Sequence, residues 1–145
     1  MTALTADLTL RRQGGQIFSH VRQKWLVETP EERVRQEYLL VLTSEYGYKL
    51  DQILEEYELT GRGSGHARAD FLIYRTAADK RDGKNPLIVV ECKSDNVTIQ
   101  ERDYAQGDNC ARLAGARFFV THNNKETRYW RVVHDHMPKT LEEIE

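Results

Sequence analysis

The apolar positions of this chain switch between two periods, one near 3.6 and one of 2, which separates helices from strands. In "TPEERVRQEYLLVLTSEYGY", Val34, Tyr38, Val41 and Leu42 fall on one helical stripe. Thr29 offers a cap, Pro30 fits the first helical position and Glu32 completes a capping box. Glu31 and Glu32 suit the positive end of the helix, and Gly47 ends it. "KLDQILEEY" keeps helical spacing through Leu50, Ile53, Leu54 and Tyr57, predicting a second, shorter helix. The period then changes. "YELTGRGSGHARADFLIYR" reads as a strand, a glycine-rich turn and a second strand from Ala67 to Tyr74. "DKRDGKN" is a polar turn, and "PLIVVECK" a third strand whose unbroken apolar run marks a central position. A helix follows from about Gln100 to Ala114, stopped near Gly115. "ARFFVTHN" and "TRYWRVV" are further strands, and "MPKTLEEIE" ends in a helix-like acidic run. Residues 1–28 carry no clear period. "IFSHVRQKWLVE" fits a short helix or an extended arm, with Ile17, Phe18, Val21, Trp25 and Leu26 as its apolar contacts.

This order predicts an α/β fold: one domain over residues 1–145, with a mixed central β-sheet flanked by helices. The strand–helix–strand step from 87 to 120 is expected to be a right-handed crossover joining parallel strands. A length of 145 residues fits one domain, and no internal repeat is present. The acidic end leaves room for the chain to be a piece of something longer.

Composition narrows the class. Apolar residues make up 39% of the chain and charged residues 30%, and no apolar run approaches the roughly 18 residues of a membrane helix. With no signal-peptide core in "MTALTADLTLRRQGG", a cytoplasmic protein without a membrane partner is expected. Cys92 and Cys110 make no disulfide framework and no zinc-ligand spacing, so two reduced thiols are expected. The net charge of −2 means that any grip on nucleic acid must come from local clusters, or from another domain or subunit.

The third strand ends in "ECK", and residues two apart in a strand share a face. Glu91 and Lys93 therefore point one way and Cys92 the other. Asp70 stands in "ARADFLIY", directly before Phe71, Leu72 and Ile73. If these strands pair, Asp70 and Glu91 converge. Two close carboxylates repel, and a divalent cation relieves that; oxygen ligands with open positions suit Mg2+ or Mn2+. Lys93 beside such an ion would orient a water or neutralise charge on a phosphoryl oxygen. Glu37 lies on the core-facing stripe of the first helix, as a third acid for the ion or as a partner for Arg33. Taken singly, each also fits ordinary pairing, Asp70 with Arg68 or His66 for example. The combination is narrower than its members.

"ARADFLIY" followed by "PLIVVECKSD" resembles the PD-(D/E)xK nuclease superfamily. "TPEERVRQEYLLVL" with "EYGY", and "YAQGDNCARL" before "ARFFVTHN", are similar to the N-terminal nuclease domain of type I restriction enzyme R proteins in its compact form. The resemblance spans about residues 15–133. It implies a restriction-endonuclease-like core and a Mg2+-dependent DNA endonuclease, with Mn2+ as substitute. Asp70, Glu91 and Lys93 match the catalytic positions, with the Cys92 carbonyl assisting Asp70 and Glu91 at the metal and Glu37 as an extra acid. Gln106 matches a glutamine on the following helix, and Arg35, Arg62 and Arg68 join it as expected DNA contacts. Ala69 stands where the superfamily name has proline, and Cys110 where a tyrosine often follows the glutamine. No GxxxxGK[ST] loop is present, so motor, methylase and specificity functions would belong to other domains or subunits. The alternative to an independent enzyme is a nuclease-like module that binds DNA or a partner and acts only in a larger restriction complex.

Three weaker signals remain. "TGRGSGHAR" is followed by a strand and reads as a flexible hairpin rather than a dinucleotide loop. His134 and His136 are two apart, a spacing compatible with a metal. Tyr129 and Trp130 alternate with arginines, as a base-stacking surface or a half-buried edge strand.

Overall fold

A computed structural model describes residues 8–60, 66–132 and 141–144. Helix α1, Pro30–Ser44, starts as its sequence dictates: Thr29 Oγ1 accepts the Glu32 N–H at 3.1 Å, and Pro30 takes the first turn. The reciprocal half of the capping box is not made. Glu32 instead accepts from Arg35 and Gln36 of its own helix. The apolar stripe Val34, Tyr38, Leu39 and Leu42 is buried.

The chain then enters a six-stranded sheet through a 3-10 turn at Leu50–Gln52. N-terminal to these elements lie three short strands, β1 (Arg12–Gln13), β2 (Gln16–Ser19) and β3 (Lys24–Val27). The main sheet consists of β4 (Ile53–Thr60), β5 (His66–Ile73), β6 (Ile88–Cys92), β7 (Phe118–Asn123), β8 (Glu126–Val132) and β9 (Leu141–Ile144), paired in that order. Only β6 and β7 run parallel, joined by helix α3, Glu101–Ala114; the other neighbours are antiparallel. A short helix α2, Ala77–Arg81, capped by Thr76, occupies part of the expected polar turn. The α/β architecture with a mixed sheet is therefore observed.

Three local expectations are corrected. "KLDQILEEY" is not a helix; from Ile53 it is β4, in register with β5 from Ile53↔Ile73 to Thr60↔His66. Its alternation was hidden because both faces of the sheet are covered: Ile53 packs into the α1-side core and Leu54 against the α3-side core. The tail "LEEI" is strand β9, whose backbone groups complete β8 in place of a helix. The N-terminal segment is neither a helix nor a single arm. It is an antiparallel meander whose first turn, Gly14–Gly15, holds both residues at positive φ, the type that matches strand twist.

Two cores result. On one face α1 packs Val34, Tyr38, Leu39 and Leu42 against Ile53, Phe71, Ile73, Val90 and Val120. On the other, α3 packs Cys110 and Ala111 against Leu72, Val89, Phe119 and Trp130. Trp130 is buried and stacks on Phe119, and Tyr129 Oη is 2.9 Å from Tyr46 Oη. Trp130 is therefore a core ring and Tyr129 is half-buried, and β8 is covered by β9 rather than being an edge. His134 and His136 lie outside the described residues. Both cysteines are free and buried.

Candidate active site

The site forms where β5 and β6 part. Their ladder pairs Ile73↔Ile88, Leu72↔Val89 and Phe71↔Val90 and goes no further. At the next position Asp70 Oδ2 accepts the Cys92 N–H at 2.7 Å, so a carboxylate takes a backbone donor that a ladder bond would otherwise use. The face assignment from strand parity holds. The Cys92 side chain enters the α1-side core. Glu91 and Lys93 face α3: Cys110 Sγ lies 3.6 Å from Glu91 Oε1, and Lys93 Nζ lies 3.8 Å from Asp103 Oδ1. Cys92 meets Asp70 through its backbone.

Glycine sets the distance between α3 and β7, the strand beside β6. A Cβ at Gly107 would lie 2.8 Å from the Phe119 ring and 3.7 Å from Glu91 Cγ. Only a residue without a side chain lets the helix rest this close to the Phe119 ring, and the Glu91 side chain lies at ordinary contact distance beside it.

The electrostatics are those of an acid cluster with too few cations. Burial, then the charge of Asp70, push the Glu91 carboxyl up to about 8, against the pull of Lys93 and Cys110. Burial also raises Asp70, opposed by the Arg35 guanidinium and the Cys92 N–H. Arg35 reaches in from α1. Its Nε and Nη2 donate to Asp70 Oδ1 at 3.0 and 2.7 Å, and its Nη1 lies 2.8 Å from Glu32 and 2.9 Å from Glu56. Burial works to lower the Arg35 pKa, yet Asp70, Glu32 and Glu56 together hold it above its ordinary value. Glu56 sits in β4 with φ at +52°, a backbone position that costs a non-glycine residue about 1–3 kcal/mol. Ion pairs to Arg35 and Arg22 hold it there. Behind this layer Gln36 donates to Glu32 and Glu55, both at 2.8 Å, and Ser19 donates to Glu55.

The structure thus gathers Asp70, Glu91 and Lys93, and Cys92 joins them through its N–H rather than through the carbonyl expected from the resemblance. It does not bring Glu37 to them. Glu37 Oε1 accepts from Asn124, which also donates to Asp95. Helix α1 sends Glu31 toward the pair instead: it lies 3.8 Å from Arg35, and its charge acts on Asp70, Glu91 and Cys92. The spacing of Glu31 four residues before Arg35 is the signal that finds it. Arg35 is 4% exposed and held by carboxylates, so it is an internal counter-ion and not a surface contact. Arg68 is exposed on β5 and Gln106 is exposed on α3, one residue from Gly107. Arg62 lies outside the described residues. Cys110, in place of the expected tyrosine, is buried against Glu91.

The donor set fits a hard divalent cation in its chemistry: two buried carboxylates with unequal counter-charge. Among the described residues no group of three or more acid, histidine or cysteine side chains is placed to hold a metal. Such an ion would therefore rest on Asp70 and Glu91 plus water, backbone or substrate oxygens, as magnesium commonly does. Among the described residues no helix is long and apolar enough to cross a membrane.

No curated protein sequence matches this chain. The family model described as type I restriction enzyme R protein N terminus matches residues 30–145, which takes in α1, the whole six-stranded sheet and every member of the carboxylate site. The chain therefore belongs to the type I restriction enzyme R protein N-terminal family.

Proposed function

We propose that this domain hydrolyses DNA phosphodiester bonds with Mg2+, or Mn2+ in its place, held by Asp70 and Glu91. The observation that carries the reading is the convergence of Asp70, Glu91 and Lys93 at the parting of β5 and β6 in a member of a restriction family. When bound, the cation supplies positive charge that polarises the scissile phosphoryl group. The chain's own residues do the rest. Asp70, oriented by Arg35 and the Cys92 N–H, presents a fixed carboxylate. Glu91 releases its proton when a positive charge arrives beside it. Lys93, turned to the same face, donates to a phosphoryl oxygen or to the attacking water. Arg68 and Gln106 are exposed on neighbouring elements and suit contacts to the DNA backbone.

The test is nicking of supercoiled plasmid by the purified chain with Mg2+, with Mn2+ and with EDTA. Cleavage is expected with either metal, with a loss of at least about 100-fold in Lys93→Ala, the scale of removing one transition-state donor. Equal cleavage in EDTA or in Lys93→Ala would sink the reading.

One observation favours a second reading, a module that cuts only within a larger restriction complex. Arg35 bonds Asp70 twice in the free chain, so Asp70 already has an internal counter-ion. A motor, methylase or specificity subunit that delivers DNA would then supply what the isolated domain lacks. A folded wild type that binds Mn2+ but leaves plasmid intact would support it.

A further inference from the structure

The β1–β3 meander precedes the family match at residue 30. Ile17 and Ser19 of β2 point inward and are fully buried. By alternation Phe18 points outward, paired in register with Trp25 of β3. Their rings meet edge to face at 5.3 Å, and His20 packs against Phe18 at the same spacing. The Arg11 guanidinium lies over both rings, 4.6 Å from Phe18 and 5.4 Å from Trp25. Val27, on the same sheet, is 69% exposed. Within residues 8–28 four cations, Arg11, Arg12, Arg22 and Lys24, stand against one acid, Glu28, in a chain whose net charge is −2. Arg12 is paired with Glu28, whereas Arg11 and Lys24 are exposed.

The inner side of the meander and the turn after β2 are fastened to the carboxylate site. Ser19 donates to Glu55, and Arg22 Nη1 lies 2.9 Å from Glu56. Glu56 in turn pairs with Arg35, which holds Asp70. Three successive ion pairs, Arg22–Glu56, Glu56–Arg35 and Arg35–Asp70, thus link the meander to the carboxylate site.

We propose that the outward face of the meander binds an unpaired strand of the DNA substrate, with bases stacked on Trp25, Phe18 and the Arg11 plane and phosphates near Arg11. The proposal rests on the reading of DNA as substrate. Base faces are open to aromatic and guanidinium planes only where the strand is unstacked, and every base has such a face, so the surface takes single strands without sequence preference. Local positive charge on an otherwise acidic chain supplies the attraction for a polyanion.

The test is fluorescence anisotropy of a labelled oligothymidine, and of a labelled duplex, with the full chain in EDTA. Trp25→Ala is expected to weaken oligothymidine binding by about 5- to 100-fold, the range of one lost base stack. Arg11→Ala is expected to weaken it and to reduce the salt slope by about 0.7. Val27→Glu changes an exposed position, keeps the fold, and is expected to weaken binding through repulsion. These two variants decide the matter if Trp25→Ala does not fold. All variants binding within about twofold of wild type would overturn the proposal, as would a wild type that binds no oligothymidine or prefers the duplex. Metal-dependent cleavage alongside unchanged binding by the variants sinks the surface alone. Binding that fails in the variants of a chain that never cleaves sinks the nuclease reading alone.

Discussion

Glu91 is the residue in which burial and charge act together most clearly. Its carboxyl is raised by burial and by Asp70 to about 8, above the roughly 4.3 of an unfolded glutamate. The folded chain thus binds this proton more tightly than the unfolded chain. The stability it contributes is fully present below about pH 4.3 and is lost as pH rises through about 8. Asp70 is raised by burial as well and acts in the same direction. In EDTA the melting temperature is expected to fall between about pH 4.3 and about pH 8, and Glu91→Gln is expected to flatten that fall. A wild-type melting temperature that rises across this window would mean that Glu91 is already ionised in the metal-free fold.

At the level of elements, the contact between α3 and the β6–β7 pair decides where Glu91 sits. Gly107 permits it, and Cys110, one turn further along, gives the carboxylate its thiol donor. In Gly107→Ala the new methyl meets the Phe119 ring at 2.8 Å, and Phe119 is fully buried and stacked on Trp130. With the ring unable to retreat, overpacking is expected to cost about 1–3 kcal/mol in urea denaturation and to weaken cleavage by moving α3 from Glu91. A variant as stable and active as wild type would show that the close approach is incidental. The meander depends on elements in the same way: residues 1–28 carry no clear period, and the burial of Ile17 and Ser19 follows only from packing on α1 and β4.

Across the whole molecule, the site is the point where three layers meet. Helix α1 contributes Arg35, Glu31 and Glu32; the sheet contributes Asp70, Glu56 and Glu91; and α3 contributes Cys110 and Asp103. A cation bound there stabilises the fold by mass action, by about 2.7 kcal/mol at a hundredfold excess over its Kd. Thermal unfolding with Mn2+ is expected to rise with metal concentration in the wild type and to stay flat in Asp70→Asn. An equal rise in both would place the metal elsewhere.

The amino-acid sequence alone determined the α/β class, the limits of α1 and α3, the central strand and the pairing of Glu91 with Lys93 on one face, because these follow from local periodicity, caps and strand parity. It gave only the YELT end of β4 and missed the start of β4 and all of β9, since a sheet covered on both faces loses its alternation and an added edge strand is specified by its neighbour's open backbone groups. The site divides in the same way. Asp70, Glu91 and Lys93 are legible because their spacing along two strands carries the signal. That Arg35 is an internal counter-ion, that Glu31 and not Glu37 approaches the pair, and that Cys110 touches Glu91 were decided by how α1 and α3 are rotated against the sheet, which is set by long-range packing rather than by any neighbour in the chain.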